Sequence, residues 1–184
     1  MDLSREESAV STTVDPRRYG SYLLAVGGIA PELGSIELLE AYAAMLQERR
    51  ALAGVRLVVA GWRADVPTDY GAEFVERAWE LGVSPVVLGD VSDADLSRLI
   101  AAAAGFVHLP SSADHCAAAL EALASGVPVV ARDLPGLRAV LADVVAYGDT
   151  VLSIADAMVD VLTVPPEPAS GIALAAARAS AHGA

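Results

Sequence analysis

The sequence contains no lysine, no asparagine and a single cysteine, Cys116. The missing lysine removes Schiff-base chemistry and a P-loop lysine. The missing asparagine removes every N-glycosylation sequon. A lone cysteine cannot close an internal disulfide, which fits a reducing compartment. No apolar run approaches the roughly 20 residues needed to span a bilayer. Met1 to Glu7 carry charge where a signal peptide needs its apolar stretch. The expectation is a soluble cytoplasmic domain with no transmembrane segment. Basic residues are also scarce, 12 against 24 acidic, for a net charge of -12. A field of that sign repels phosphate backbones and anionic membranes, so nucleic acid is not an expected partner.

What is abundant is apolar. The hydrophobic set makes up 54% of 184 residues, enough for one ordinary domain with a sizeable core. Residues 1–20 are polar without periodicity and read as a leader or linker. From residue 21 short β-branched runs alternate with helical ones. Strands are expected at 23–26, 55–60, 85–88, 105–109, 127–131 and 144–147. Ser35 is expected to cap a helix carrying Ile36, Leu39, Ala43 and Leu46 on one face. Further helices are expected at 72–81, from a Ser92 cap through Ala103, at 116–124, 137–141 and 154–162. Residues 164–184 read as a Pro-rich break and a helical tail. Continuous apolar strands alternating with helices mean a parallel sheet covered on both faces. The 21–163 segment is therefore expected to be an α/β, Rossmann-like doubly wound domain with a six-stranded parallel sheet.

In such a sheet, ligands sit beyond the C-terminal strand ends. The loop from Gly27 to Ser35 follows a strand and opens a helix, a context suited to phosphate. It lacks G-x-G-x-x-G, which counts against a dinucleotide oxidoreductase. A plain tight connection fits it equally well. The loop from Pro110 to Ala118 is rich in small residues and leads into a helix N-terminus. Glu121 lies one to two turns into that helix, where a carboxylate can accept hydrogen bonds from vicinal ribose hydroxyls. An exposed helix glutamate is the plainer reading. Asp114, His115 and Cys116 are consecutive and cannot converge on one atom, so no catalytic triad is assigned. Spacing for zinc is absent and no metal is expected. Trp62 and Trp79 read as packing residues. Arg63 and Arg132 lie on loops at the ligand edge and are candidates to meet an anion.

These loops, in this order, resemble the C-terminal half of a GT-B glycosyltransferase of the family-four type. Val10-Ser11-Thr12-Thr13-Val14-Asp15-Pro16 resembles the inter-domain "PNGVD" turn. Leu24-Ala25-Val26-Gly27-Gly28 resembles the first strand. The segment from Leu88 to Leu96 resembles "LGxVSDAEL", and that from Leu120 to Ala131 resembles "LEAMAxGxPVVA". The resemblance runs from about Val14 to Leu162 and implies a domain that holds a nucleotide-diphosphate sugar for retaining transfer. It implies that Gly27 and Gly28 border the donor and that Val91 offers backbone contacts to the base. It also implies that Glu121 holds the ribose, while the N–H groups of Cys116, Ala117 and Ala118 face the diphosphate. The nucleotide sugar is substrate; no cofactor is implied.

The departures bear on activity. The family places an Arg near Gly28 and a Lys at the position of Leu33; both are absent here, and Glu32 adds negative charge. The first Glu of E-x7-E falls on Ala113, with Asp114 one position out of register. The acceptor-binding half has no counterpart in this sequence. Losing two cations that stabilise a departing diphosphate corresponds to about 10⁴-fold in rate. The expectation is a truncated, degenerate donor domain with little or no activity alone. The alternatives are one half of a split enzyme, paired with a separate acceptor-domain polypeptide, or a non-catalytic interaction module. An uncovered interdomain face would favour self-association.

Overall fold

The computed structural model describes residues 14–61, 68–113, 116–165 and 167–182. Arg63, Trp62, Asp114, His115 and most of the leader lie outside the described residues. Among the described residues, six strands form one sheet: β1 (Tyr22–Val26), β2 (Arg56–Ala60), β3 (Val86–Leu88), β4 (Gly105–His108), β5 (Val129–Arg132) and β6 (Ala146–Gly148). Their order is β3-β2-β1-β4-β5-β6 and every pairing is parallel. Leu24 sits in register with Val58 on one side and Phe106 on the other. The expected Rossmann-like doubly wound sheet is therefore present.

Among the described residues, seven α-helices connect and flank the strands: α1 (Ser35–Glu48), α2 (Thr68–Glu80), α3 (Asp93–Ala102), α4 (Ala117–Ala124), α5 (Pro135–Leu141), α6 (Val151–Thr163) and α7 (Pro168–His182). Alternation along the strands builds two cores. Leu23, Leu57, Val59, Val107 and Val130 pack with α1, α2 and α6. Tyr22, Leu24, Val58, Phe106 and Val129 pack with α3, α4, α5 and α7. Burial on both faces makes the inner strands β1, β2, β4 and β5 largely apolar rather than alternating, while the edge strand β3 leaves Val87 exposed.

Local differences from expectation have local causes. Ser35 is not the cap of α1; Gly34 takes that position in the left-handed region, at φ 63°. A Cβ at Gly34 would lie 2.6 Å from Arg132 Nη2 and 2.8 Å from the Leu109 carbonyl, so only glycine fits. The Ser35 hydroxyl instead accepts from the Ala30 N–H at 3.0 Å and donates to the Ala30 carbonyl at 3.1 Å. Helix α6 begins three residues before the expected 154 because Thr150 and Ser153 form a reciprocal capping box. The last strand begins at Ala146, since Ala142–Val144 forms a short 3₁₀ turn. Trp79 was expected to pack but stands 83% exposed. Phe74 and Ala78 take the inward face of α2, which leaves Trp79 outside. Among the described residues, no helix is long and apolar enough to cross a membrane.

Candidate functional site

The strand order reverses between β1 and β4, and there the C-terminal ends diverge into a crevice. A cavity of about 370 Å³ lies at that point. It is lined by Gly27, Glu32, Leu33, His108, the Pro110 to Ser112 turn, Ala117 and Ala118. Gly28 lies beside it in a smaller recess shared with Leu33 and His108.

The loop after β1 is internally hydrogen-bonded. The Gly27 and Gly28 N–H groups both donate to the Ala60 carbonyl, at 2.9 and 3.1 Å. Leu33 N–H donates to the Ala30 carbonyl and Gly34 N–H to that of Pro31. Ser111 N–H donates to the Glu32 carbonyl at 2.7 Å, fastening the β4 loop to the β1 loop. Gly61 closes the far side: a Cβ there would come within 3.1 Å of Gly28 N. The two glycine amides thus hold the loop to β2.

Helix α4 faces the crevice with its N-terminal turn. Cys116 stands at the N-cap and contributes no side-chain cap. Its thiol is 8% exposed and donates to the Ala113 carbonyl at 3.2 Å. The first N–H groups of a helix lack intrahelical acceptors, and Ala117 and Ala118, at the start of α4, line the cavity. One turn further, Glu121 is half-buried and accepts the Ser97 hydroxyl of α3 at 2.6 Å. Glu121 also borders a second hollow of about 580 Å³, between α4, α5 and α7, together with Cys116, Ala117, Val140 and Arg178. Arg178 donates to the Ala139 and Val140 carbonyls, at 2.5 and 3.1 Å. Val91 lines neither hollow; it packs, half-buried, on the core beneath α3 and α4.

Of the two candidate anion-binding arginines, Arg63 lies outside the described residues. Arg132 extends from the end of β5 to Glu37 of α1, with both carboxylate oxygens accepting. It also donates to the Leu109 carbonyl at 3.2 and 3.3 Å. Arg132 therefore braces the floor of the crevice and does not line the cavity. On the next loop, the Arg138 guanidinium hydrogen-bonds Asp133 and holds its carboxyl below the usual carboxylate range. Arg138 also lies 4.2 Å over the Tyr147 ring. Burial pushes the Tyr147 phenol up to about 12.

Two residues here were not singled out from the sequence as site residues. His108, 7% exposed at the end of β4, borders the cavity. Its position at the C-terminal tip of a central strand was the available signal. Asp95 is buried at the first turn of α3, and nothing local in the sequence distinguishes it from a solvated cap. Among the described residues, no group of three His, Cys, Asp or Glu side chains is arranged to hold a metal ion.

A parallel sheet of this order, with its crevice where the order reverses and a helix N-terminus facing that crevice, defines a doubly wound ligand-binding α/β domain. The model of the family described as glycosyl transferases group 1 matches residues 20–164. The chain belongs to that family. Its fold is shared with an α,α-trehalose 6-phosphate synthase from Burkholderia multivorans: TM-score 0.73, 17% identity, 91% of this chain and 40% of that one. A UDP-forming α,α-trehalose-phosphate synthase from Burkholderia xenovorans aligns at TM-score 0.71 and 18% identity, over 88% and 40%. Anabaena Alr3699/HepE in complex with UDP and glucose aligns at TM-score 0.69 and 21% identity, over 86% and 43%. The chain thus spans about two fifths of each of these structures. No curated protein matches the sequence.

Proposed function

We propose that this chain is the donor-binding half of a glycosyltransferase and takes a nucleotide-diphosphate sugar at the crevice between β1 and β4. The observation that carries the reading is the pairing of a family match over residues 20–164 with a cavity at the topological switch point, bordered by the α4 N-terminus. In this reading Ala117 and Ala118, with Cys116, offer N–H groups to the diphosphate. Glu121, already accepting one hydroxyl from Ser97, takes the ribose hydroxyls in its place. Val91 lends its backbone to the base. Similarity in fold to a structure holding UDP and glucose makes UDP the first nucleotide to try.

Transfer also needs a surface for the acceptor. The proposal assigns that surface to a domain other than this one and predicts little transfer by this domain alone. Weak donor binding is expected as well. Among the described residues, the cavity lining carries the Glu32 carboxylate and no arginine, and Arg132 is engaged by Glu37. The same observation favours the second reading, an interaction module that kept the fold and lost the site.

Calorimetric titration with UDP, GDP and their sugar conjugates, beside Glu121→Ala, separates the two. Micromolar binding abolished by the substitution supports a working donor site. Absence of binding at millimolar nucleotide, with the fold intact by circular dichroism, leaves the interaction module. Sedimentation as a monomer at high concentration would count against self-association.

A further inference from the structure

We propose that Asp95 is a positioning residue whose buried carboxylate fastens the β3–α3 loop to the chain segment leading into β1. The inference rests on the donor-site reading, because that loop carries Val91, the residue assigned to the base. A carboxylate in the first turn of a helix is ordinarily solvated and acts only through the helix dipole. Asp95 is 4% exposed. A buried carboxylate is tolerated only when hydrogen-bonded, and both of its oxygens are engaged. Oδ1 accepts from the Val14 N–H at 3.3 Å and from Arg98 Nη2 at 2.5 Å. Oδ2 accepts the Ser92 hydroxyl at 2.9 Å.

These partners come from distinct places. Val14 belongs to the incoming segment, 81 residues away in sequence. Ser92 follows Val91 directly and caps α3, its hydroxyl oxygen accepting the Asp95 N–H at 3.1 Å. Arg98 lies one turn further along α3. A cap needs only the bond from Asp95 N–H to Ser92; it does not need the carboxylate to reach Val14. A second tie supports the same join. The Tyr22 hydroxyl donates to the Leu99 carbonyl at 2.6 Å, and Tyr19 meets the Tyr22 ring edge-on at 5.9 Å. Val14, Tyr19 and Val91 all pack on the core that α3 covers. The incoming segment, α3 and the loop before it therefore form one body with Asp95 at its centre. A shift of the incoming segment would move the seat of the base.

Hydrogen exchange on the full chain tests this, with Asp95→Ala, Asp95→Asn and Ser92→Ala, each also titrated with UDP. Asp95→Ala is expected to speed exchange about tenfold in both 14–20 and 88–96, as loss of hydrogen bonds to a charged group implies, and to leave 129–141 unchanged. Asp95→Asn, which can still accept from Val14 and donate to Ser92, is expected to restore protection in 14–20. Acceleration confined to α3, or spread evenly over the domain, overturns the proposal. If Asp95→Ala fails to fold, Ser92→Ala serves: loosening of both segments supports the tie, and loosening of α3 alone overturns it. Where the parent chain binds UDP, a roughly tenfold weaker affinity in Asp95→Ala is expected. Unchanged affinity and exchange would defeat the positioning role and leave the donor site standing. Coupled loosening in a chain that binds no UDP would defeat the donor reading and leave the positioning role standing.

Discussion

The two sides of the α4 N-terminus are built differently. Toward β1 lies a cavity whose loop amides are engaged internally and whose charged lining residue is Glu32. Toward α3 and α7 lies Glu121, an acceptor already holding a hydroxyl. Among the described residues, one side carries a carboxylate and no arginine, and the other carries a carboxylate that accepts a hydroxyl. On the donor reading, the nucleoside end of the site persists while the diphosphate end has lost its counter-charge. A uridine-against-UDP comparison exposes that asymmetry directly.

The largest expected effect comes from restoring charge. Replacing Glu32 by Gln and Leu33 by Lys together is expected to tighten UDP about 100-fold and leave uridine unchanged, through charge-assisted hydrogen bonds. Equal gains for both ligands in calorimetry would erase the proposed division. Next is Glu121→Ala, expected to weaken uridine and UDP alike by about tenfold or more. A loss for UDP alone would place Glu121 at the diphosphate instead.

Smaller again is Arg132→Gln. It leaves Glu37 and the Leu109 carbonyl without their donor, for about 1–3 kcal/mol of stability in urea unfolding. UDP affinity should hold if Arg132 is only a brace. A fall in affinity beyond the stability loss would mean that the guanidinium exchanges Glu37 for phosphate.

The smallest effect is a pH dependence on the α3–α4–α5 face. Burial pushes Tyr22 up to about 12, against an ordinary phenol near 10. Folded chain therefore keeps a proton that unfolded chain releases. This contribution to stability is complete below about pH 10 and is lost as pH rises through about 12. Tyr22→Phe should flatten the fall in urea midpoint above about pH 10, at a cost of about 1 kcal/mol for the lost bond to Leu99. An unaltered slope would assign the alkaline loss to the other tyrosines that burial shifts upward, Tyr42, Tyr70 and Tyr147.

The sheet was legible in the sequence because a doubly covered strand must be apolar on both faces. Residues 55–60 and 105–109 therefore announced β2 and β4 within a residue or so. The Ser92 cap was legible for a local reason, its hydroxyl serving an N–H three residues away. What escaped depended on distant partners. Gly34, not Ser35, stands at the cap, where the left-handed backbone beside Arg132 and the Leu109 carbonyl leaves no room for a side chain. Asp95 was legible as the carboxylate three residues after the Ser92 cap, but its bond to Val14, 81 residues away, was not, because no local pattern pairs the two. The identity of the ligand-edge loops was visible, but not the direction of their amides. That direction was set by Ala60, on a neighbouring strand.

The self-bonded loop after β1 has a consequence for how a ligand would arrive. Ordering a residue's backbone costs about 1–2 kcal/mol, and a loop assembled on binding pushes that cost into the association step. Here the Ala60 carbonyl and the Ser35 hydroxyl hold the loop through the chain's own hydrogen bonds. On the donor reading, capture would need no ordering of this loop, and its part in the on-rate would follow diffusion and charge rather than rearrangement. Because the chain is acidic, that rate for an anionic ligand should rise with added salt, which screens the repulsion.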